Sequence, residues 1–83
     1  QLIGIASMDI SRYTVEIKHH AFQRALERGI HPDLIEEALL KGKKELYGKH
    51  GIKFINEGAK RTLICVGQIV GTKITIYTIE EKN

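Results

Sequence analysis

A run of histidine and arginine residues between positions 19 and 28 carries the side chains best suited to chemistry. His19 and His20 open a helix-forming segment, and Arg24 and Arg28 follow His20 at intervals of four. Residues four apart lie on the same face of an α-helix, one turn above another. An imidazole can transfer a proton near neutral pH, and guanidinium groups can bind phosphate. This combination of side chains suits the cleavage of RNA.

The helical spacing leaves the direction of the histidines open. At about 100° per residue, the apolar centre of the segment falls near Phe22 and Gly29, and His20 then points to the opposite side. His19 lies on the other flank and is a second candidate for the histidine that reaches a cleft. A solvated polar helix face is the alternative interpretation of the same run.

The last apolar segment of the chain supplies further candidates. Side chains alternate between the two faces of a β-strand, which places Lys73, Thr75 and Tyr77 on one face. The opposite face then carries Ile74, Ile76 and Thr78. A threonine hydroxyl can donate to a phosphate oxygen and a tyrosine ring can stack on a base, although both residues are also ordinary strand formers. We therefore expect Thr75 and Tyr77 to complete a cleft that the helix begins.

The helices and strands that must position these residues are predicted to form an α+β fold, in one domain over residues 1–83. The first helix begins near His20 and ends at Gly29, and the second begins at His31-Pro32-Asp33 and ends at Gly42. Four strands are predicted at 45–47, 52–55, 61–66 and 73–79. Short connections between them favour a four-stranded antiparallel β-meander, with the two N-terminal helices packed on one face.

The segment before the first helix permits two interpretations. Tyr13 to Ile17 alternates in the manner of a strand, but it can also be the lead-in to the helix. Leu2 to Ala6 is a short apolar run, so residues 1–12 are predicted to form an arm or a short strand.

Composition narrows the classes of function. The chain has 83 residues, a net charge of +3 and a basic stretch from Lys41 to Arg61, which together favour an anionic partner. The single cysteine, Cys65, lies in an apolar run and is expected to be a buried hydrophobic residue. No spacing of histidines, cysteines and carboxylates predicts a metal site, and no cofactor motif is present. No apolar run is long enough to predict a membrane span.

The motif His20-Ala21-x-x-Arg24-x-x-x-Arg28-Gly29-Ile30, followed by Leu34 to Leu39 and a final Ile74-Thr75-Ile76-Tyr77 strand, resembles a group of small bacterial domains. Their layout is similar to the ribonuclease superfamily that includes barnase, EndoU, colicin D and RelE. It is also similar to the C-terminal toxin domains of contact-dependent growth inhibition proteins. The resemblance covers residues 18–79.

This resemblance implies a metal-independent endoribonuclease toxin that cleaves tRNA or mRNA without a cofactor. It implies His20 (or His19) as the proton-transfer residue and Arg24 and Arg28 as phosphate-binding residues. It also implies Thr75 and Tyr77 as site residues on the last strand. The residues expected to help bind RNA are Lys18, Lys53, Lys60, Arg61 and Lys73.

The resemblance also implies a cognate immunity or antitoxin protein as partner. The chain starts without a methionine, which favours the terminal domain of a secreted or cell-surface bacterial protein that acts in the target-cell cytoplasm; the alternative location is the cytoplasm of its own cell. The rival function is a non-catalytic module that binds RNA or protein through the same cationic face.

Overall fold

A computed structural model describes residues 9–82, and these form one α+β unit. A short 3-10 turn at Ile10–Arg12 precedes the first strand. The elements that follow, in chain order, are β1 (Thr14–Ile17), α1 (His19–Glu27), α2 (Pro32–Lys41), β2 (Lys43–Tyr47), β3 (Gly51–Glu57), β4 (Thr62–Val70) and β5 (Lys73–Lys82). The predicted arm or strand at residues 2–6 lies outside the described residues.

The sheet has five strands in the order β1-β5-β4-β3-β2. Strands β2 to β5 pair antiparallel with their neighbours in sequence, as the short connections predict. β1 pairs parallel with β5, with Thr14 opposite Lys73 and Ile17 opposite Ile76. The predicted four-stranded antiparallel sheet is therefore wrong: the sheet is mixed, and a strand precedes the two helices.

Strand β1, which adds the fifth strand to the sheet, forms because its apolar side chains pack against the core. Val15 and Ile17 are half-buried and pack against the main hydrophobic cluster, whereas Thr14 and Glu16 face solvent. The Lys18 N–H continues the pairing by donating to Ile76 O at 2.9 Å. Of the two interpretations of residues 13–17, the strand is correct.

Both helices pack on one face of the sheet and enclose a single core. α1 contacts β5, and α2 contacts β3 and β4. The largest fully buried side chains are Ile30, Ile35, Ile52, Phe54, Cys65, Ile74 and Ile76. Burial alternates along β3 and β4, so alternate residues of these strands point away from the helices. That second, open face of the sheet carries no other element among residues 9–82.

The inward face of α1 differs from the prediction. Its buried residues are Ala21 and Ala25, whereas Phe22 is only half-buried and Gly29 is exposed. The contact with β5 is therefore centred between the two alanines, and not on Phe22. This rotation brings Arg24 and Arg28 to the border of the helix–strand contact, since each lies one turn from a buried alanine.

Candidate active site

Two small residues allow α1 to approach β5 closely. Ala21 is 4% exposed and Ala25 is fully buried, and neither side chain extends beyond its methyl group. The long side chains beside them can therefore reach the strand. Arg28 does so directly, because its Nη1 donates to the backbone carbonyl of Ile79 at 3.5 Å.

The end of α1 is fixed by local hydrogen bonds. Gly29 adopts a φ of +82°, its N–H donates to Leu26 O at 3.0 Å, and the N–H of Ile30 donates to Ala25 O at 2.9 Å. This pair of bonds is the Schellman arrangement, which favours glycine at the left-handed position. Ile30 is then buried in the core. The arrangement stops the helix immediately after Arg28 and so holds that arginine at its last turn.

A β-bulge on β5 sets the direction of the strand residues. Val66 of β4 lies opposite Thr78, but the next residue, Gly67, lies opposite Ile76. Tyr77 is therefore an extra residue with no partner on β4. Because a bulge shifts the alternation by one, Ile76 and Ile79 both point into the core although they are three residues apart.

Gly67 permits the close approach that this bulge requires. A Cβ at this position would lie 2.8 Å from the carbonyl carbon of Thr75 and 2.9 Å from Cα of Ile76. Both obstructing atoms belong to the backbone of β5, so a side chain at position 67 would have to displace the strand. The glycine is required here by close packing of two backbones.

The helix and the bulge together form a small cleft of about 120 Å³. We call it the His–Arg cleft. It is lined by His20, Ala21, Arg24, Arg28, Tyr77, Thr78 and Ile79. None of these residues is acidic, and the two guanidinium groups stay charged at any physiological pH. The cleft therefore combines an imidazole with two permanent cations in a space that suits a phosphate group.

Tyr77 is held in place by a hydrogen bond on the open face of the sheet. Its hydroxyl donates at 2.9 Å to Oε1 of Gln68, the β4 residue that pairs with Thr75. The phenolic proton is therefore directed to Gln68 and not into the cleft. Tyr77 consequently serves as a wall of the cleft in this structure, and His20 contributes the only imidazole among the lining residues.

Two of the predicted site residues do not line this cleft. His19 is exposed at the first position of α1 and is absent from the lining. Thr75 is half-buried in the middle of the sheet, between Glu16 of β1 and Gln68 of β4. The structure therefore brings together His20, Arg24, Arg28 and Tyr77.

The predicted RNA-binding residues are dispersed. Lys18 is exposed at the start of α1, and Lys53 lies on the open face with its Nζ 5.3 Å from the centre of the Tyr47 ring. Lys73 forms an ion pair of 3.0 Å with Glu16, which lowers the pKa of that carboxyl group through a hydrogen bond and its charge. Its own charge is thereby largely offset on the open face.

Lys60 and Arg61 lie apart from the His–Arg cleft. They line a separate cavity of about 390 Å³ between the start of α2 and the β3–β4 loop. Arg61 forms an ion pair with Glu81, and Glu37 and Glu57 line the same cavity. Its mixed charge makes it a poorer site for a polyanion.

Thr78 lines the cleft but is not among the site residues predicted from the sequence. Regular alternation places Thr78 on the face opposite Tyr77, and the bulge is the reason that both line the cleft. The unequal spacing of Ile74, Ile76 and Ile79 was the available signal for a bulge, because buried residues on a regular strand recur every second position.

Among residues 9–82, no group of three or more histidine, cysteine, aspartate or glutamate side chains is arranged to hold a metal ion. Within the same residues no helix combines the length and apolar character that crossing a membrane requires.

Comparison with known proteins finds no family model, no curated protein and no solved structure that matches this chain. The resemblance to bacterial ribonuclease toxin domains therefore rests on the motif quoted above.

Proposed function

We propose that the protein is a metal-independent endoribonuclease, with the His–Arg cleft as its active site. The observation that supports this proposal is the convergence of His20, Arg24 and Arg28 from α1 with Tyr77 from the β5 bulge around a cleft without carboxylates. These side chains come from elements far apart in sequence. They supply proton transfer and charge stabilisation, which cleavage of a phosphodiester requires.

In the proposed reaction the 2′-oxygen of the substrate attacks its own phosphorus. The P–O2′ bond forms and the P–O5′ bond breaks, which leaves a 2′,3′-cyclic phosphate and a 5′-hydroxyl end. Arg24 and Arg28 bind the non-bridging phosphate oxygens and stabilise the negative charge of the pentacoordinate transition state.

His20 acts on one of the two protons that move. As a base it takes the proton of the 2′-hydroxyl, and the departing 5′-oxygen is protonated by water. Attacking and leaving oxygens lie on opposite sides of phosphorus, so a single imidazole serves one of them directly. Tyr77 can supply the second proton only if its hydroxyl leaves Gln68 Oε1.

The bond between Tyr77 and Gln68 also favours a second candidate, a module that binds RNA without cleaving it. A cleft with one oriented proton-transfer group and two arginines can bind a phosphate and do nothing further. A change at His20 distinguishes the two functions. It removes the cleavage activity of an enzyme, but it removes little of the RNA affinity of a binding module.

The histidine doublet supplies a matched pair of variants for the test. His19 and His20 are adjacent, exposed and on the same helix, but only His20 lines the cleft. We expect His20→Gln to reduce the rate of cleavage of labelled RNA in EDTA by about 10²–10⁴-fold, and His19→Gln to leave it within about threefold of the original protein. Cleavage that stops in EDTA and returns with Mg²⁺, or equal loss in both variants, would contradict the proposal.

The resemblance extends the proposal to a biological setting. In that setting the domain is the toxic part of a larger bacterial protein, its substrate is tRNA or mRNA, and an immunity protein blocks the His–Arg cleft. Because none of the cleft's lining residues is acidic, an inhibitor that covers it would present carboxylates to Arg24 and Arg28.

A further inference from the structure

A second depression adjoins the His–Arg cleft on the open face of the sheet, and Tyr77 lines both. This depression has a volume of about 390 Å³ and lies between the β2–β3 turn and the bulge. We call it the open-face cradle and define it by Tyr47, Lys49, His50, Gln68 and Tyr77, with Val66 in its floor. The larger volume, within the roughly 300–1,000 Å³ usual for ligand sites, suits a base with its ribose.

We propose that the open-face cradle binds a nucleoside of single-stranded RNA next to the phosphate held in the His–Arg cleft. This inference rests on the proposed function and specifies its substrate as unpaired RNA. A polynucleotide places a base on one side of a phosphate at short distance, and Tyr77 forms the shared wall between a cationic space and an aromatic one.

Each of the two tyrosine rings of the cradle has a contact that restricts its orientation. The Tyr47 ring lies directly against Gly51, where a Cβ would be 2.5 Å from its Cε2 atom. The Tyr77 ring is fixed through its hydroxyl by Gln68 at 2.9 Å. Rings that are already oriented lose little conformational freedom when a base stacks on them.

The charge of the cradle favours a polyanion as its ligand. None of its lining residues is acidic, and Lys49 and His50 lie on the β2–β3 turn beside it. Lys53 adds a further cation near the Tyr47 ring, at 5.3 Å from the ring centre. Aromatic rings interleaved with cations are the arrangement by which proteins bind single-stranded nucleic acid without base pairing.

Gln68 provides hydrogen-bonding groups for a base edge. Its amide oxygen accepts the Tyr77 hydroxyl, and its two N–H groups can donate to a carbonyl or ring nitrogen of a base. The Watson–Crick edge and the flat face of a base are accessible together only in unpaired RNA, because a duplex pairs the edge and stacks the face. The cradle therefore discriminates against double-stranded RNA by its chemistry.

The test measures binding of a fluorescent six-nucleotide RNA whose riboses are all 2′-O-methylated, so that it cannot be cleaved. We expect Tyr47→Leu to raise the dissociation constant by about 5- to 150-fold, the range for loss of one base–aromatic stack. Tyr47→Phe keeps the ring and should bind within about twofold of the original protein.

Leu46→Ala is the matched control. Leu46 is adjacent to Tyr47 on β2, is equally exposed at 46% against 45%, and points to the opposite side of the sheet. We expect it to leave the dissociation constant unchanged. Melting curves of each variant verify that the protein is folded. Equal binding by Tyr47→Leu and the original protein, equal weakening by Leu46→Ala, or equal affinity for the same sequence as a duplex would overturn the proposal.

The experiment separates this inference from the proposed function. If the oligonucleotide binds through Tyr47 but unmodified RNA is never cut, the cradle stands and the nuclease proposal fails. If RNA is cut and Tyr47→Leu binds and cuts normally, the nuclease proposal stands and the cradle fails. A cradle that serves instead to dock a protein would show no affinity for the oligonucleotide, which also overturns the inference.

Discussion

Replacing Gly67 with alanine tests whether close backbone packing at the β5 bulge is what places Tyr77 between the two sites. The added Cβ would lie 2.8 Å from the carbonyl carbon of Thr75 and 2.9 Å from Cα of Ile76. Because the overlapping atoms of β5 belong to its backbone, rotation of a side chain cannot relieve the overlap. β4 and β5 must therefore separate locally. Tyr77 would then lose its position beside Gln68.

The expected magnitude follows from this geometry. Overpacking of a well-packed site costs about 1–3 kcal/mol, and we expect about 3 kcal/mol here because backbone has to move. A domain of this size has a free energy of unfolding of about 4–12 kcal/mol. One kcal/mol lowers its melting temperature by about 4–8 °C, so Gly67→Ala should melt roughly 12–24 °C lower.

Thermal and guanidinium unfolding, followed by circular dichroism, measure this effect, and Gly48→Ala is the control. Gly48 has a φ of +60° and nothing within 4 Å of an added Cβ, so its substitution costs only the conformational penalty of about 1 kcal/mol. If Gly67→Ala is no more destabilising than Gly48→Ala, the steric argument is refuted. If it is destabilised but binds the 2′-O-methyl oligonucleotide normally well below its melting temperature, the bulge does not position Tyr77.

Two further predictions concern buried groups. Lys44 is 6% exposed, its Nζ donates to Gly42 O at 3.2 Å, and burial lowers its pKa from 10.5. Because methionine avoids the cost of burying an ammonium group, Lys44→Met should raise the free energy of unfolding, measured in urea near neutral pH, by about 1 kcal/mol. Because the unfolded chain retains this proton to higher pH, the original protein gains stability relative to the variant as pH rises towards 10.5, and a constant difference would contradict the assignment. Burial raises the pKa of the Cys65 thiol to about 12, so iodoacetamide should label the native protein only as it unfolds; rapid labelling without denaturant would show that Cys65 is accessible.

The helices were predictable because their signals are local. His31 accepts a hydrogen bond from the Asp33 N–H at 3.1 Å with Pro32 at the first helical position, and Gly29 ends α1 by a left-handed turn. The same applies to the antiparallel strands β2 to β5, since each pairs with its neighbour in sequence. Their boundaries shifted by a few residues, most of all in β4, which continues through Gly67 to Val70.

The parallel pairing of β1 with β5 could not be predicted in this way. Thr14 and Lys73 lie almost a whole domain apart in sequence, and no local pattern indicates which edge of a sheet a short strand will join. The face of α1 was equally undetermined, because the sequence ranks Phe22 above alanine in hydrophobicity. Close approach to β5 instead favoured the small Ala21 and Ala25 as the buried contact.

By itself the sequence determined the chemical groups that are present: an imidazole and two guanidinium groups at helical spacing, and hydroxyl groups on the final strand. Only the tertiary structure decided which of them meet. The bulge at Tyr77 shifts the alternation of β5, so Tyr77 and Thr78 join His20, Arg24 and Arg28 while Thr75 stays in the middle of the sheet. The physical reason is that a bulge depends on the pairing of two strands and on the missing side chain of Gly67, and neither is a property of β5 alone.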